Sequence, residues 1–103
     1  MERHENITWD QAKTQSNADK HGVTFELAQQ VLKDPYGDQF HLEIDDTAHS
    51  INEERWITLG SLPYDRNHVL YVVWTEIVNN VTRIISARKA TKQEKNYYDQ
   101  NIK

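Results

Sequence analysis

Three cationic residues lie close together where an apolar segment gives way to a polar one. The stretch TRIISARKATKQEKNYY, residues 82–98, contains Arg83, Arg88 and Lys89. Arg88 and Lys89 come just before a predicted helix, whose unpaired backbone N–H groups and dipole favour an anion. Cations at this place can bind a phosphate. The alternative is that they hydrate a strand end or form ion pairs with some of the 16 acidic residues.

Four further side chains suit phosphate binding or proton transfer. Lys20 and His21 end a predicted helix, where the dipole stabilises cations, and an imidazole that titrates near neutral pH can also act as an acid or base. Arg55 begins a predicted strand, either in an ion pair or as a second phosphate ligand. Glu76 lies near the end of a long predicted strand, as a solvated charge or a general base. Their spacing does not decide between these alternatives.

The motifs of several other enzyme classes are missing from the sequence. Its five histidines form no HxH or HExxH motif and it has no cysteine, so we expect no metal site and no cofactor. It has no phosphate-binding glycine loop and no nucleophile-elbow serine. Five aromatic residues are expected to pack in the core and on the sheet rather than stack on bases: Trp9, Trp56, Tyr71, Trp74 and Tyr97.

Length, composition and charge indicate how many domains the chain forms and whether it binds membranes or nucleic acids. A chain of 103 residues fits one domain, residues 1–103. It has no apolar run of signal-peptide or membrane-span length and no cysteine, which predicts a cytoplasmic protein that does not bind a membrane. The net charge of -4 is opposite to that of a generally basic nucleic-acid-binding surface. Any nucleic-acid site must therefore be local.

Capping residues and hydrophobic periodicity predict the elements that position these side chains. After the short apolar run NITW, Asp10 and Gly22 bound a first helix. Thr24 caps a second, FELAQQVLK, whose apolar side chains share one face. Thr91 and Glu94 form a capping box for a last helix over about residues 92–100.

Four segments between the second and the last helix have strand character: QFHLEI, RWITLG, HVLYVVWTEI and VTRIISA. The order predicts an α+β fold, with helices on one face of a mainly antiparallel sheet of about four strands and a C-terminal helix. Because side chains alternate along a strand, Arg83 and Arg88 are expected on opposite faces unless a bulge intervenes.

Three motifs, in this order along the chain, resemble those of the BrnT family of bacterial type II toxins: KHGVTFE, ERWITLG, and RIISARKAT followed by Glu and Tyr. The resemblance extends from ITWD to Tyr98. It implies a RelE-like fold and a toxin that cleaves RNA and inhibits translation and growth. It also implies a BrnA-type antitoxin, a ribbon-helix-helix protein that neutralises the toxin and through which the complex binds operator DNA.

The same resemblance marks the cations of these motifs as site residues. It implies a metal-independent reaction in which a base takes the proton of a ribose 2'-OH and cations stabilise the charge on the phosphoryl oxygens. Arg55 and Arg88 are expected to be the catalytic phosphate stabilisers, and His21 or Glu76 the proton-transfer group. The expected RNA-binding residues are Lys20, Arg83 and Lys89.

Two features depart from the family pattern. Ile77 stands where members often carry an arginine, and the last helix is less basic than is usual for the family. With a net charge of -4, the chain is expected to bind RNA weakly and in a salt-sensitive manner. The alternative function is a catalytically inactive member that binds its antitoxin and acts as a co-repressor.

Overall fold

Four α-helices and five strands form the fold of residues 4–45 and 54–102, the part of the chain described by a computed structural model. In chain order they are β1 (Asn6–Thr8), α1 (Gln11–His21), α2 (Phe25–Leu32), α3 (Gly37–Phe40), β2 (His41–Asp45), β3 (Trp56–Leu62), β4 (Asp65–Ile77), β5 (Val81–Lys89) and α4 (Lys92–Asn101).

The helix boundaries follow the caps predicted from the sequence. Asp10 and Thr24 each accept a backbone N–H in the first turn of α1 and α2. Gly22 ends α1 in the left-handed conformation, at a φ of 73°, which a residue with a side chain rarely adopts. Thr91 and Glu94 form the predicted capping box of α4. These local signals therefore fix the three longer helices.

The strands form one mixed sheet in the order β1-β5-β4-β3-β2. Strands β2 to β5 make the predicted antiparallel meander. The sheet has five strands rather than about four, because the NIT segment joins it as β1, parallel to β5, with Asn6 beside Val81. This pairing satisfies backbone groups that would otherwise be open at the edge of β5.

Helices cover both faces of the sheet, whereas the sequence predicted one. The first face packs against α1 and α2, and its cluster includes Phe25, Ala28, Val31, Leu32, Leu70, Val72, Trp74, Ile84 and Ala87. The second face packs against α4 through Leu59, Val69 and Tyr98, with Tyr71 beside them. Residues 69 to 72 alternate between the two clusters, as the pleat of β4 requires.

Strand β2 is fastened to α2 on the first face. The predicted strand QFHLEI starts only at His41, because Phe40 belongs to α3. The Nε2–H of His41 donates to the carbonyl of Val31 at 2.6 Å, and burial lowers the pKa of this imidazole. A Cβ atom on Gly60 would lie 2.6 Å from Val31 Cγ1, so α2 can approach β3 this closely only over a glycine.

A buried ion pair holds β4 against the chain that follows α2. The Asp34 carboxylate is 0% exposed and accepts hydrogen bonds from Arg66 Nη1 and from the Tyr36 N–H. Arg66 also lies over the Phe40 ring at 3.7 Å. Burial by itself would raise the pKa of Asp34, but these hydrogen bonds outweigh it and the pKa falls below its ordinary value.

Replacing Asp34 with alanine is expected to destabilise the fold by about 2 to 3 kcal/mol, less than for a fully buried pair because Arg66 is 32% exposed. The pair's contribution is complete at pH values above the ordinary Asp pKa and is lost as pH falls through the lowered pKa of Asp34. Thermal unfolding between pH 7 and pH 3 measures both effects. The exposed neighbour Asp38 gives the control, since Asp38→Ala removes an equal charge; equal stability of the two variants would contradict the expectation.

Candidate active site

Arg88 lies on the second face near the end of β5, and its guanidinium contacts Glu94, the Tyr71 ring and the carbonyl of Lys89. Its Nη1 and Nη2 donate to the two oxygens of Glu94 at 2.8 and 2.9 Å, and its Cζ atom lies 3.8 Å from the centre of the Tyr71 ring. The side chain is 32% exposed. Arg88 therefore forms the ion pair that the sequence left open, and it still reaches the surface.

This pair sets the charge state of both groups. The hydrogen bonds to Glu94 raise the pKa of Arg88, and those from Arg88 lower the pKa of Glu94 although burial acts in the opposite direction. Glu94 also accepts the Thr91 N–H at 2.9 Å as part of the capping box. Arg88 is thus a cation that is attached through Glu94 to the first turn of α4.

A bulge in β5 brings Arg83 to the same face as Arg88. Val73 of β4 pairs with Ser86 but the next residue, Trp74, pairs with Ile84, so Ile85 is an extra residue. The extra residue shifts the alternation by one position. The exception allowed for in the sequence analysis therefore applies, and both arginines point away from α1 and α2.

Arg55 approaches the same face from the other side of β4. It directly precedes β3, in which Trp56 pairs with Trp74, so its backbone lies opposite Thr75. The Thr75 hydroxyl donates to the carbonyl of Glu54, which holds this part of the chain in place. Thr75 also pairs with Arg83 in β5. Alternation along β5 places Arg83 on the second face beside Thr75, and the same alternation, continued one residue before β3, puts Arg55 on the other side of Thr75.

The three arginines form a row on the second face that we call the arginine face: Arg55, Arg83 and Arg88. Arg88 is opposite Tyr71 and Arg83 is opposite Thr75, four residues further along β4. This separation corresponds to about 13 Å along the strand. Arg83 is exposed and Arg55 is half-buried. The row is long enough to contact more than one phosphate of an extended chain.

Lys20 and His21 are exposed at the end of α1, and one buried side chain connects their segment to β5. Asn17 Nδ2 donates to the carbonyl of Val23 at 2.8 Å and to that of Ala87 at 2.7 Å. The segment KHGV, residues 20–23, therefore lies beside the residue that precedes Arg88.

Glu76 and Lys89 are placed differently from the arginine face. Glu76 is exposed and pairs with Thr82, whose side chain is buried on the first face against His4. It therefore points to the side opposite Arg83. Lys89 is exposed at the end of β5 and pairs with Leu70 of the first face. The structure thus brings Arg88 near the KHGV segment and leaves Glu76 at the other end of β5.

The sequence did not reveal the contacts that three residues make at this candidate site. No pattern in the sequence pointed to Asn17, because its partner Ala87 is 70 residues away in the chain. Tyr71 was assigned to packing, and its role as the platform under Arg88 depends on the β4–β5 register. Glu94 was identified only as a cap, although its carboxylate also binds Arg88.

The described residues also bear on metal binding and membrane insertion. Nowhere in residues 4–45 and 54–102 do three or more His, Asp or Glu side chains come together as a metal-binding group would require. None of the helices in these ranges is long and apolar enough to cross a membrane.

Comparison with known proteins identifies the family. A search of curated proteins found no match. Among solved structures, the crystal structure of the ribonuclease toxin BrnT from Brucella abortus matches with a TM-score of 0.59 and 22% sequence identity, covering 84% of this chain and 97% of that one. The likeness shows that the two share a fold, an α+β structure with a C-terminal helix.

The family model described as the ribonuclease toxin BrnT of type II toxin-antitoxin systems matches residues 9–94. The matched range contains α1, α2, all of the strands after β1, and the first turn of α4 with Glu94. The chain therefore belongs to the BrnT family of ribonuclease toxins.

Proposed function

We propose that this protein is a metal-independent endoribonuclease that binds RNA on the arginine face and cleaves it beside Arg88. The observation that carries the proposal is the position of Arg88, a permanently charged guanidinium held on Tyr71 and reaching the surface on the same face as Arg83 and Arg55. A row of fixed cations on one face is suited to an extended phosphate chain.

The proposed reaction is an internal attack by the ribose 2'-OH on the adjacent phosphorus. A base removes the 2'-OH proton, the bond from O2' to phosphorus forms, and the bond from phosphorus to the 5' oxygen of the next nucleotide breaks. The leaving oxygen receives a proton, so the products are a cyclic phosphate and a free 5'-hydroxyl. Negative charge grows on the phosphoryl oxygens, and Arg88 stabilises it there.

The pair with Glu94 is compatible with this role because a guanidinium has more than one donor edge. Glu94 uses the edge formed by Nη1 and Nη2. The edge formed by Nε and Nη2 is the second bidentate edge of an arginine, and it is the one we assign to phosphate. Glu94 then fixes the orientation of Arg88 while the phosphate approaches from the side.

Between the two proton-transfer candidates, the geometry favours His21. Its segment is connected through Asn17 to Ala87, next to Arg88, whereas Glu76 pairs with Thr82 at the other end of β5. A general base must come within hydrogen-bond reach of the proton that it removes. Lys20, Arg83 and Lys89 would contact neighbouring phosphates, and Arg55 would be the second phosphate stabiliser.

We further propose that a BrnA-type antitoxin, a ribbon-helix-helix protein, neutralises this toxin and supplies the operator-DNA contact. Induced expression of the chain alone should then arrest bacterial growth and inhibit translation, and co-expression of the antitoxin encoded beside it should restore growth. Colony counts and translation rates measure this, with Arg88→Ala as the matched control for expression.

Normal growth at verified expression of folded protein would contradict this expectation. It would favour an inactive member that binds antitoxin as a co-repressor. One observation supports this alternative function: Arg88 already forms an ion pair with Glu94. Cleavage of RNA by the purified chain separates the two functions directly, because only the ribonuclease reading predicts it.

Cleavage of RNA by the purified chain is expected to continue in excess EDTA. The reason is that the proposed stabilisation of the phosphoryl oxygens comes from arginine side chains, and no metal-binding group is formed by the described residues. Initial rates measured with and without the chelator test this. Complete loss of cleavage that a divalent cation restores would overturn the proposed mechanism.

A further inference from the structure

Asn17 is 7% exposed and makes three hydrogen bonds to backbone groups, one to Val23 nearby in the chain and two to Ala87, 70 residues away. Its Nδ2 donates to the carbonyls of Val23 and Ala87, and its Oδ1 accepts the Ala87 N–H at 3.2 Å. A side-chain amide has two donors and an acceptor that can pair in this way. One helix residue thus binds the edge of β5 as a neighbouring strand would.

On the side of β5 that faces away from β4, no strand among the described residues covers Ala87. Strand β1 pairs only with Val81 to Arg83, and Ala87 lies beyond it. The two carbonyl oxygens that share the Nδ2 atom must lie within about 6 Å of each other. Asn17 therefore fixes the separation between the KHGV segment and the chain just before Arg88.

We infer that Asn17 is a positioning residue for RNA cleavage, one that holds the segment carrying Lys20 and His21 against the strand end carrying Arg88. The inference rests on the proposed function and adds to it the residue that connects the proton-transfer segment to the phosphate-binding strand. A proton-transfer group and a phosphate ligand must be held in register, and a displacement of about 1 Å costs up to roughly 100-fold in rate. Asn17 itself touches neither RNA nor the reacting atoms.

The test is the near-isosteric change Asn17→Leu, which fills the same space without hydrogen bonds. We expect kcat for cleavage of a generic RNA to fall roughly 10- to 100-fold with a smaller change in KM, because groups are displaced but remain present. The matched control is Thr14→Val on the same helix. It removes the hydrogen bond from the Phe25 N–H at 3.0 Å, which ties α1 to α2 and not to β5.

A double-mutant comparison separates positioning from a general loss of stability. If Asn17 acts by placing His21, Asn17→Leu should cost less activity in a His21→Ala background than in the wild-type chain. If Asn17 only stabilises the fold, Asn17→Leu should lower the cleavage rate by the same factor in both backgrounds, so that its loss and that of His21→Ala multiply. All rates are measured at a temperature at which each variant is folded by circular dichroism, and an Asn17→Leu variant that does not fold is replaced by Asn17→Ser.

The possible results are distinguishable. A wild-type chain without ribonuclease activity overturns the proposed function and this inference with it. A wild-type chain that cleaves RNA, with Asn17→Leu no slower than Thr14→Val or with losses that multiply, overturns the inference alone. A selective loss of kcat that disappears in the His21→Ala background supports it.

Discussion

Replacing Arg88 with alanine is expected to lower the rate of RNA cleavage by roughly 100- to 1,000-fold, the cost of removing one donor to a developing oxyanion. The change also removes the contacts with Glu94 and Tyr71, so we expect a loss of stability of about 1 to 2 kcal/mol and a melting temperature lower by several degrees. Single-turnover cleavage and thermal unfolding of the purified variant measure the two effects separately.

Glu94→Gln is the control that shows whether Arg88 acts on RNA or only on the structure. Glutamine can keep the capping box but not the ion pair with Arg88. If Arg88 binds the phosphate, Glu94→Gln should lose stability yet retain cleavage within about tenfold of wild type. Equal losses of cleavage in Arg88→Ala and Glu94→Gln would mean that Arg88 contributes by holding α4. Arg88→Lys should stay impaired, because a point charge does not replace a bidentate guanidinium.

Replacing His21 with alanine is expected to reduce kcat by roughly 100- to 10,000-fold if it is the proton-transfer group, the range typical of such groups. Its side chain is exposed at the last position of α1, so the fold should lose little stability. Cleavage rates at saturating RNA and circular dichroism of the variant test this pair of expectations.

Glu76→Ala supplies the matched comparison, since Glu76 is also exposed and was the other candidate from the sequence. Because it lies at the other end of β5 from Arg88, we expect its replacement to leave kcat within a few-fold of wild type. A large loss for Glu76→Ala and none for His21→Ala would reverse the assignment and place the reaction at the other end of β5.

Much of the fold follows from signals that are local in sequence. Asp10, Gly22, Thr24 and the Thr91 capping box bound their helices as predicted, because each cap satisfies backbone groups within one turn. The buried face of α2 follows from its periodicity in the same way. The pairing of β1 with β5 and the covering of both faces depend on contacts across the whole chain, and these the sequence did not show.

The site was less predictable than the fold, for a related reason. The sequence identified the cations by type and by family resemblance, but it placed Arg83 and Arg88 on opposite faces of a regular strand. A single extra residue, Ile85, reverses that relation. No residue type announces a bulge at this point, so which charges share a face depends on the register with β4 and is known only from the structure.

The contacts of β5 with β1 and α1 also determine how the two parts of the candidate site can separate. The β1–β5 contact joins Asn6 to Val81, and the α1–β5 contact joins Asn17 to Ala87. Each contact therefore closes a loop that contains most of the chain. Strands β4 and β5 are consecutive in the chain, so their hairpin forms without closing a long loop. Long-range contacts that add few bonds open at lower free energy than the centre of a sheet. Opening of the Asn17–Ala87 contact would separate the KHGV segment from Arg88 while the β4–β5 hairpin stays paired, so the candidate site depends on a long-range contact that the hairpin itself does not need.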